Sequence, residues 1–187
     1  MKKSILGIIC VILVIAFANS CGNSTGVGSN ANDSTAIADS LDSVIKKGWV
    51  YRSSVDEMDG STSKMAIIYS SNVVEFDPPY EGGSKLHIAV LNSKENGTNV
   101  GIVISNGQFS VSELDGTNYV RIRFDEDAPI TFSTISPLDG SFDTLFLENP
   151  KKFIKLAKNA KTIKVEATFF TEGSNIFTFN TEKPLEW

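Results

Sequence analysis

The chain has 187 residues, 41% of them hydrophobic, with 17 Lys and Arg against 22 Asp and Glu, for a net charge of −5. That acidic balance argues against nucleic acid as a partner, since its binders need a basic face, and against direct adhesion to anionic headgroups. Two cysteines and one histidine are too few for a zinc site, and no cofactor or metal motif is present.

Lys2 and Lys3 open the chain, and Ile5 to Ala18 is an almost unbroken apolar run. About fourteen residues fall short of the roughly twenty needed to span a bilayer as a helix, so residues 1–20 read as a cleaved export signal. Two cut sites compete. Ala18-Asn19-Ser20-Cys21 resembles the Leu-[Ala/Ser]-[Gly/Ala]-Cys box of bacterial lipoproteins, with Ala18 and Asn19 departing from it and a small Ser20 before the scissile bond. Ala16-Phe17-Ala18 suits the ordinary signal peptidase, whose cut would release a soluble protein with Cys21 as a free thiol. The tether-like stretch after Cys21 favours lipidation of Cys21, and with it attachment to a membrane. Cys10 leaves with the signal, so no internal disulfide can form. The lipoprotein resemblance implies that Gly22, in place of Asp, directs the protein to the outer membrane facing the periplasm. Surface exposure stays open as the alternative.

Residues 21–47 are rich in Gly, Ser, Asn, Asp and Thr. Such a stretch cannot bury enough apolar surface to offset its chain entropy and is expected to be a flexible tether. As a random coil it would span roughly 25–30 Å. Within it, Ile37, Leu41, Val44 and Ile45 keep a helical period, so Ala36 to Lys47 can form a short amphipathic helix. Ser34, Ser40 and Ser43 each follow an Asp, as does Thr144 in the domain. These sites resemble the Asp-[Ser/Thr]-aliphatic acceptor of an envelope O-glycosylation system. Asn96-Gly97-Thr98 fits the N-glycosylation pattern but reads here as a turn.

Residues 48–187 are long enough for one domain with its own core. Short alternating runs recur between turn signals: Trp49 to Tyr51, Met65 to Ser71, Val73 to Phe76, Leu86 to Leu91, Asn99 to Ser105, Gln108 to Val111, Tyr119 to Phe124, Ile130 to Thr134 and Thr144 to Leu147. Asn96-Gly97, Asn106-Gly107 and Asp115-Gly116 are hairpin signals. Asn149 as N-cap and Pro150 at the first position start one helix, whose apolar face carries Phe153, Ile154, Leu156, Ala157 and Ala160. Thr162 to Phe170 and Asn175 to Asn180 follow as a strand pair around Glu172-Gly173. The expected fold is mainly β: a two-sheet antiparallel sandwich, jelly-roll or immunoglobulin-like, with one packed helix in the C-terminal half.

Chemistry is sparse. His87 is the sole histidine and shares a strand face with Ala89 and Leu91, so it reads as structural rather than catalytic. No G-x-S-x-G motif is present. The acids of Asp56-Glu57-Met58-Asp59-Gly60 and Asp125-Glu126-Asp127 lack calcium-loop spacing and read as turn acids. Tyr119, Arg121 and Arg123 point to one side of their strand and can grip carboxylate or phosphate, or pair internally with acids across the sheet. The reading is a non-enzymatic binding or structural module with an envelope protein or a glycan as partner. The rivals are a carboxylate-based glycan hydrolase and a secretion-machinery accessory.

The order of several further segments resembles a family of bacterial envelope lipoproteins. These are Trp49-Val50-Tyr51, Glu57-Met58-Asp59-Gly60, Ile102 to Phe109, Val120 to Asp125, Phe153 to Lys161, Val165-Glu166-Ala167, Phe177-Thr178-Phe179 and Leu185-Glu186-Trp187. The layout is also distantly similar to accessory proteins of type VI secretion. That family often has a cysteine pair in its domain, and this chain has none. The resemblance implies an envelope location and supplies no catalytic residues.

Overall fold

The computed structural model describes residues 48–111, 118–181 and 183–187. Nine strands and one helix follow in chain order. The strands are β1 (Val50–Val55), β2 (Thr62–Tyr69), β3 (Leu86–Ser93), β4 (Gly97–Ile104), β5 (Tyr119–Phe124), β6 (Ile130–Ile135) and β7 (Thr144–Leu147), then, after helix α1 (Pro150–Ala157), β8 (Thr162–Phe169) and β9 (Gly173–Asn180). The fold is mainly β, as the alternating pattern implies. A division into two sheets is not shown. All nine strands join in one antiparallel sheet, ordered β1-β2-β3-β4-β7-β6-β5-β8-β9. The link between its halves is the short β6–β7 ladder, Thr134 opposite Leu147 and Ile135 opposite Phe146.

The sheet curls, and its concave face meets itself in one core. Ile68, Ile88 and Ile102 from β2–β4 share that core with Ile122, Val165 and Phe177 from β5, β8 and β9. At one end the curl nearly closes. The Ser71 N–H donates to the Thr178 carbonyl of β9 (2.7 Å), the Thr178 N–H donates to Asn72 Oδ1 (2.8 Å), and Asn72 Nδ2 donates to the Ile176 carbonyl (3.0 Å). Helix α1 inserts its apolar side at the margin of this core. The Phe153 ring lies 5.6 Å from Phe124 and 6.3 Å from Phe132. Its start follows the capping rule, with the Lys152 N–H donating to Asn149 Oδ1 at 3.1 Å and Pro150 filling a position whose N–H would have no helical partner.

Two expected strands shrink to single bridges. Val74 pairs only with Ser84, because Pro78 and Pro79 lack donors and Phe76 turns into the core. Phe109 pairs only with Phe169, continuing the edge of β8. The expected hairpin at Asn106-Gly107 is instead a crossover. Asn106 Nδ2 donates to the carbonyls of Tyr80 (2.7 Å) and Glu81 (3.1 Å), fastening two loops together. The Asn96-Gly97 hairpin forms between β3 and β4, with Gly97 at φ 65°. The Asp115-Gly116 turn lies outside the described residues.

Candidate functional site: the clefts around Trp187

The sequence-predicted residues divide by location. Cys21, Ser34, Ser40 and Ser43 lie outside the described residues. Thr144 is buried at the start of β7, where its hydroxyl donates to Asp143 Oδ1 at 2.9 Å. Tyr119, Arg121 and Arg123 stand on the convex face of β5, and both guanidiniums are engaged. Arg121 Nη1 donates to both oxygens of Glu166 (2.9 and 3.2 Å), its register partner on β8. Arg123 pairs with Glu126 three residues on. Tyr119 stays exposed.

The turn acids serve backbone donors. Asp56 Oδ1 accepts from Met58 N–H at 2.7 Å, and Asp59 accepts from Ser61 N–H and from Lys94 Nζ. The Ser61 and Lys94 contacts hold the Asp59 carboxyl below its usual range. Asp125, at φ 48°, accepts from the N–H groups of Lys161 and Thr162 at the start of β8. Among the described residues, no three His, Cys, Asp or Glu side chains converge to hold a metal ion. No described helix is long and apolar enough to cross a membrane.

The site that sequence reading missed lies at the end of the sheet where the C-terminal segment arrives. Leu185 seats in the core, and Leu185 N–H donates to the Ala157 carbonyl at the end of α1. Trp187 then packs between two clefts. The larger, about 530 Å³, is lined by Tyr51, Arg52, Lys64, Asn92, Glu186 and Trp187 among others. Its neighbour, about 360 Å³, is lined by Thr98, Ile154, Trp187 and the lysines 151, 155 and 158 of α1 and its end. Five cations therefore surround one indole in a chain that is acidic overall. None of the five forms an ion pair with another described residue. Tyr51 fixes the wall by accepting the Glu186 N–H at 2.8 Å. Burial against that wall raises its phenol pKa, the Glu186 carboxylate adds to the rise, and the Glu186 N–H opposes it, so Tyr51 is neutral near pH 7.

Chemically, the pair of clefts offers aromatic surfaces from Tyr51 and Trp187, an amide from Asn92 and cations from both sides. Aromatic faces suit sugar rings or hydrophobic side chains, and the cations suit carboxylate or phosphate. Glu186 is the only carboxylate side chain among the described residues lining the larger cleft, whereas carboxylate glycosidases need a pair of them. No protein family, curated protein or solved structure compared with the chain matches it.

Proposed function

We propose that this chain is an envelope lipoprotein, lipidated on Cys21 and held at the outer membrane facing the periplasm. Its β domain, on this reading, is a non-catalytic module that binds an anionic envelope glycan in the clefts around Trp187. The observation that carries the binding role is the grouping of Arg52, Lys64, Lys151, Lys155 and Lys158 about Trp187. The basic start, apolar run and Ser20-Cys21 junction support the anchor. The shared core supports reading the two halves of the sheet as sandwich-like layers.

The anchor is tested by the intact mass of protein from native membranes. A diacyl or triacyl increment on a chain starting at Cys21 is the expected result, and a bare chain starting at Asn19 overturns it. The binding role is tested by titrating the protein with polygalacturonate while following tryptophan emission. A salt-sensitive change in emission, weakened by Lys64→Gln and Lys155→Gln, is expected. A titration that leaves the emission unchanged overturns the glycan reading. Co-purification with envelope machinery would instead place the domain among secretion accessories.

A further inference from the structure

Strand β1 stands at one margin of the sheet, where it pairs with β2 on one side only. The turn that follows sets its backbone parity. The Asp56 N–H donates to the Ser61 carbonyl at 2.8 Å, so Asp56, Ser54 and Arg52 aim their ladder groups at β2. Tyr51, Ser53 and Val55 therefore aim theirs outward, and among the described residues no strand meets them. Arg52 to Asp56 are all exposed, Val55 by 64%. No proline blunts the strand, and Arg52 is its single charge. Arg52 forms no ion pair with another described residue. Four residues on, Asp56 accepts the Met58 N–H with Oδ1, which leaves its second oxygen for a cation.

We propose that β1 pairs antiparallel with β1 of a second copy of this chain, about a two-fold axis through Ser54, with Arg52 of each copy opposite Asp56 of the other. Parity limits the choice of register. Outward-aimed residues must meet outward-aimed residues, so the axis passes through a residue and not between two. An axis at Arg52 sets the two guanidiniums directly opposite each other, and like charges so placed repel. An axis at Ser53 sets Arg52 opposite Ser54 and leaves the two guanidiniums diagonal to each other. An axis at Val55 carries Arg52 past the strand end to Met58. The axis at Ser54 alone sets opposite charges face to face, twice over, and places Ser53 opposite Val55. The contact covers about five residues a side, so the pair is weak and reversible. Arg52 also lines the larger cleft, so this pairing and an anion in that cleft compete for one guanidinium. The pairing itself does not rest on the glycan reading.

Each register has its own reporter. The experiment is disulfide trapping under mild oxidation in the whole chain in detergent, in a Cys10→Ser and Cys21→Ser background carrying Ser54→Cys, Ser53→Cys or Arg52→Cys. An axis at Ser54 puts its two Cα atoms about 4.5 Å apart, within disulfide reach. The two Ser53 Cα atoms then lie about 8 Å apart and those of Arg52 about 14 Å apart, both beyond the limit of about 7 Å. Ser54→Cys should therefore cross-link about tenfold faster than either of the others. Faster trapping by Ser53→Cys or Arg52→Cys overturns the register, and equal rates at all three overturn the pairing. Sedimentation equilibrium adds a second measurement. Wild type should self-associate reversibly, and more weakly in high salt. Ser53→Pro should remain monomeric, since proline removes an outward donor and takes no bond from the β1–β2 ladder. A folded Ser53→Pro that pairs as well as wild type overturns the proposal, and so does a wild type that stays monomeric up to about millimolar concentration.

Discussion

Acid should weaken this fold through His87. The unfolded imidazole binds its proton near pH 6.5, whereas the folded one, stripped of water beside Tyr69, binds it only near pH 4. Between those values the unfolded state holds more protons, so stability is full above 6.5 and is lost as pH falls towards 4. The full shift corresponds to about 3 kcal/mol, and residual solvent access to the partly exposed ring reduces this to about 2 kcal/mol. About half of that loss should appear between about pH 7 and pH 5, before most carboxylates titrate. The assay is urea unfolding at both pH values for wild type and His87→Gln, compared by the change in free energy with pH rather than by its level. Wild type should lose on the order of 1–2 kcal/mol more than the variant over this interval. Equal losses in the two proteins would refute the assignment of the acid sensitivity to His87.

Three further outcomes are expected. Gly107→Ala should cost about 2–4 kcal/mol in urea unfolding, because Gly107 sits at φ 135° and a Cβ there would lie 2.8 Å from Phe76 Cε2 in the core. Asp125→Ala should cost about 2–3 kcal/mol and Asp125→Asn less than about 1 kcal/mol, since Asn keeps an acceptor for the N–H groups of Lys161 and Thr162 and tolerates a positive φ. Equal costs for these two would show that the accepted hydrogen bonds contribute little. A double-mutant cycle on Arg121 and Glu166 should return about 0.5–1 kcal/mol, diminishing in salt, because the pair is bidentate but solvent-screened.

What could be read in the sequence was local. Alternation placed β3, β5 and β8 within a residue or two, and the helix start was legible because Asn149 and Pro150 carry their instructions in their own chemistry. Gly97 and Gly173 marked real turns for the same reason. Sheet order was not legible. The insertion of β7 between β4 and β6 depends on which distant edges meet, and the clearest sequence trace of any long-range pairing is the Arg121–Glu166 charge match between β5 and β8. Asn106-Gly107 misled because the Asn amide was spent on the carbonyls of Tyr80 and Glu81 rather than on a hairpin. The clefts around Trp187 were hidden because Arg52, Lys64 and the helix lysines lie far apart in the chain. The lysines of α1 read locally as nothing more than a solvated face.

The fastening of Ser71 and Asn72 to β9 has a consequence for crowding. An open sheet normally ends in two strands whose free N–H and C=O groups invite a neighbour, and a chain of neighbours can grow only if every molecule offers both. Here the Ile176 carbonyl and both outward groups of Thr178 are already taken by the segment that leaves β2. β1 remains the one continuous open margin among the described strands. Two such molecules can zip together once along β1, and the product has no second margin to pass on. In a concentrated solution, stacking of one sheet onto the next would therefore stop at a pair.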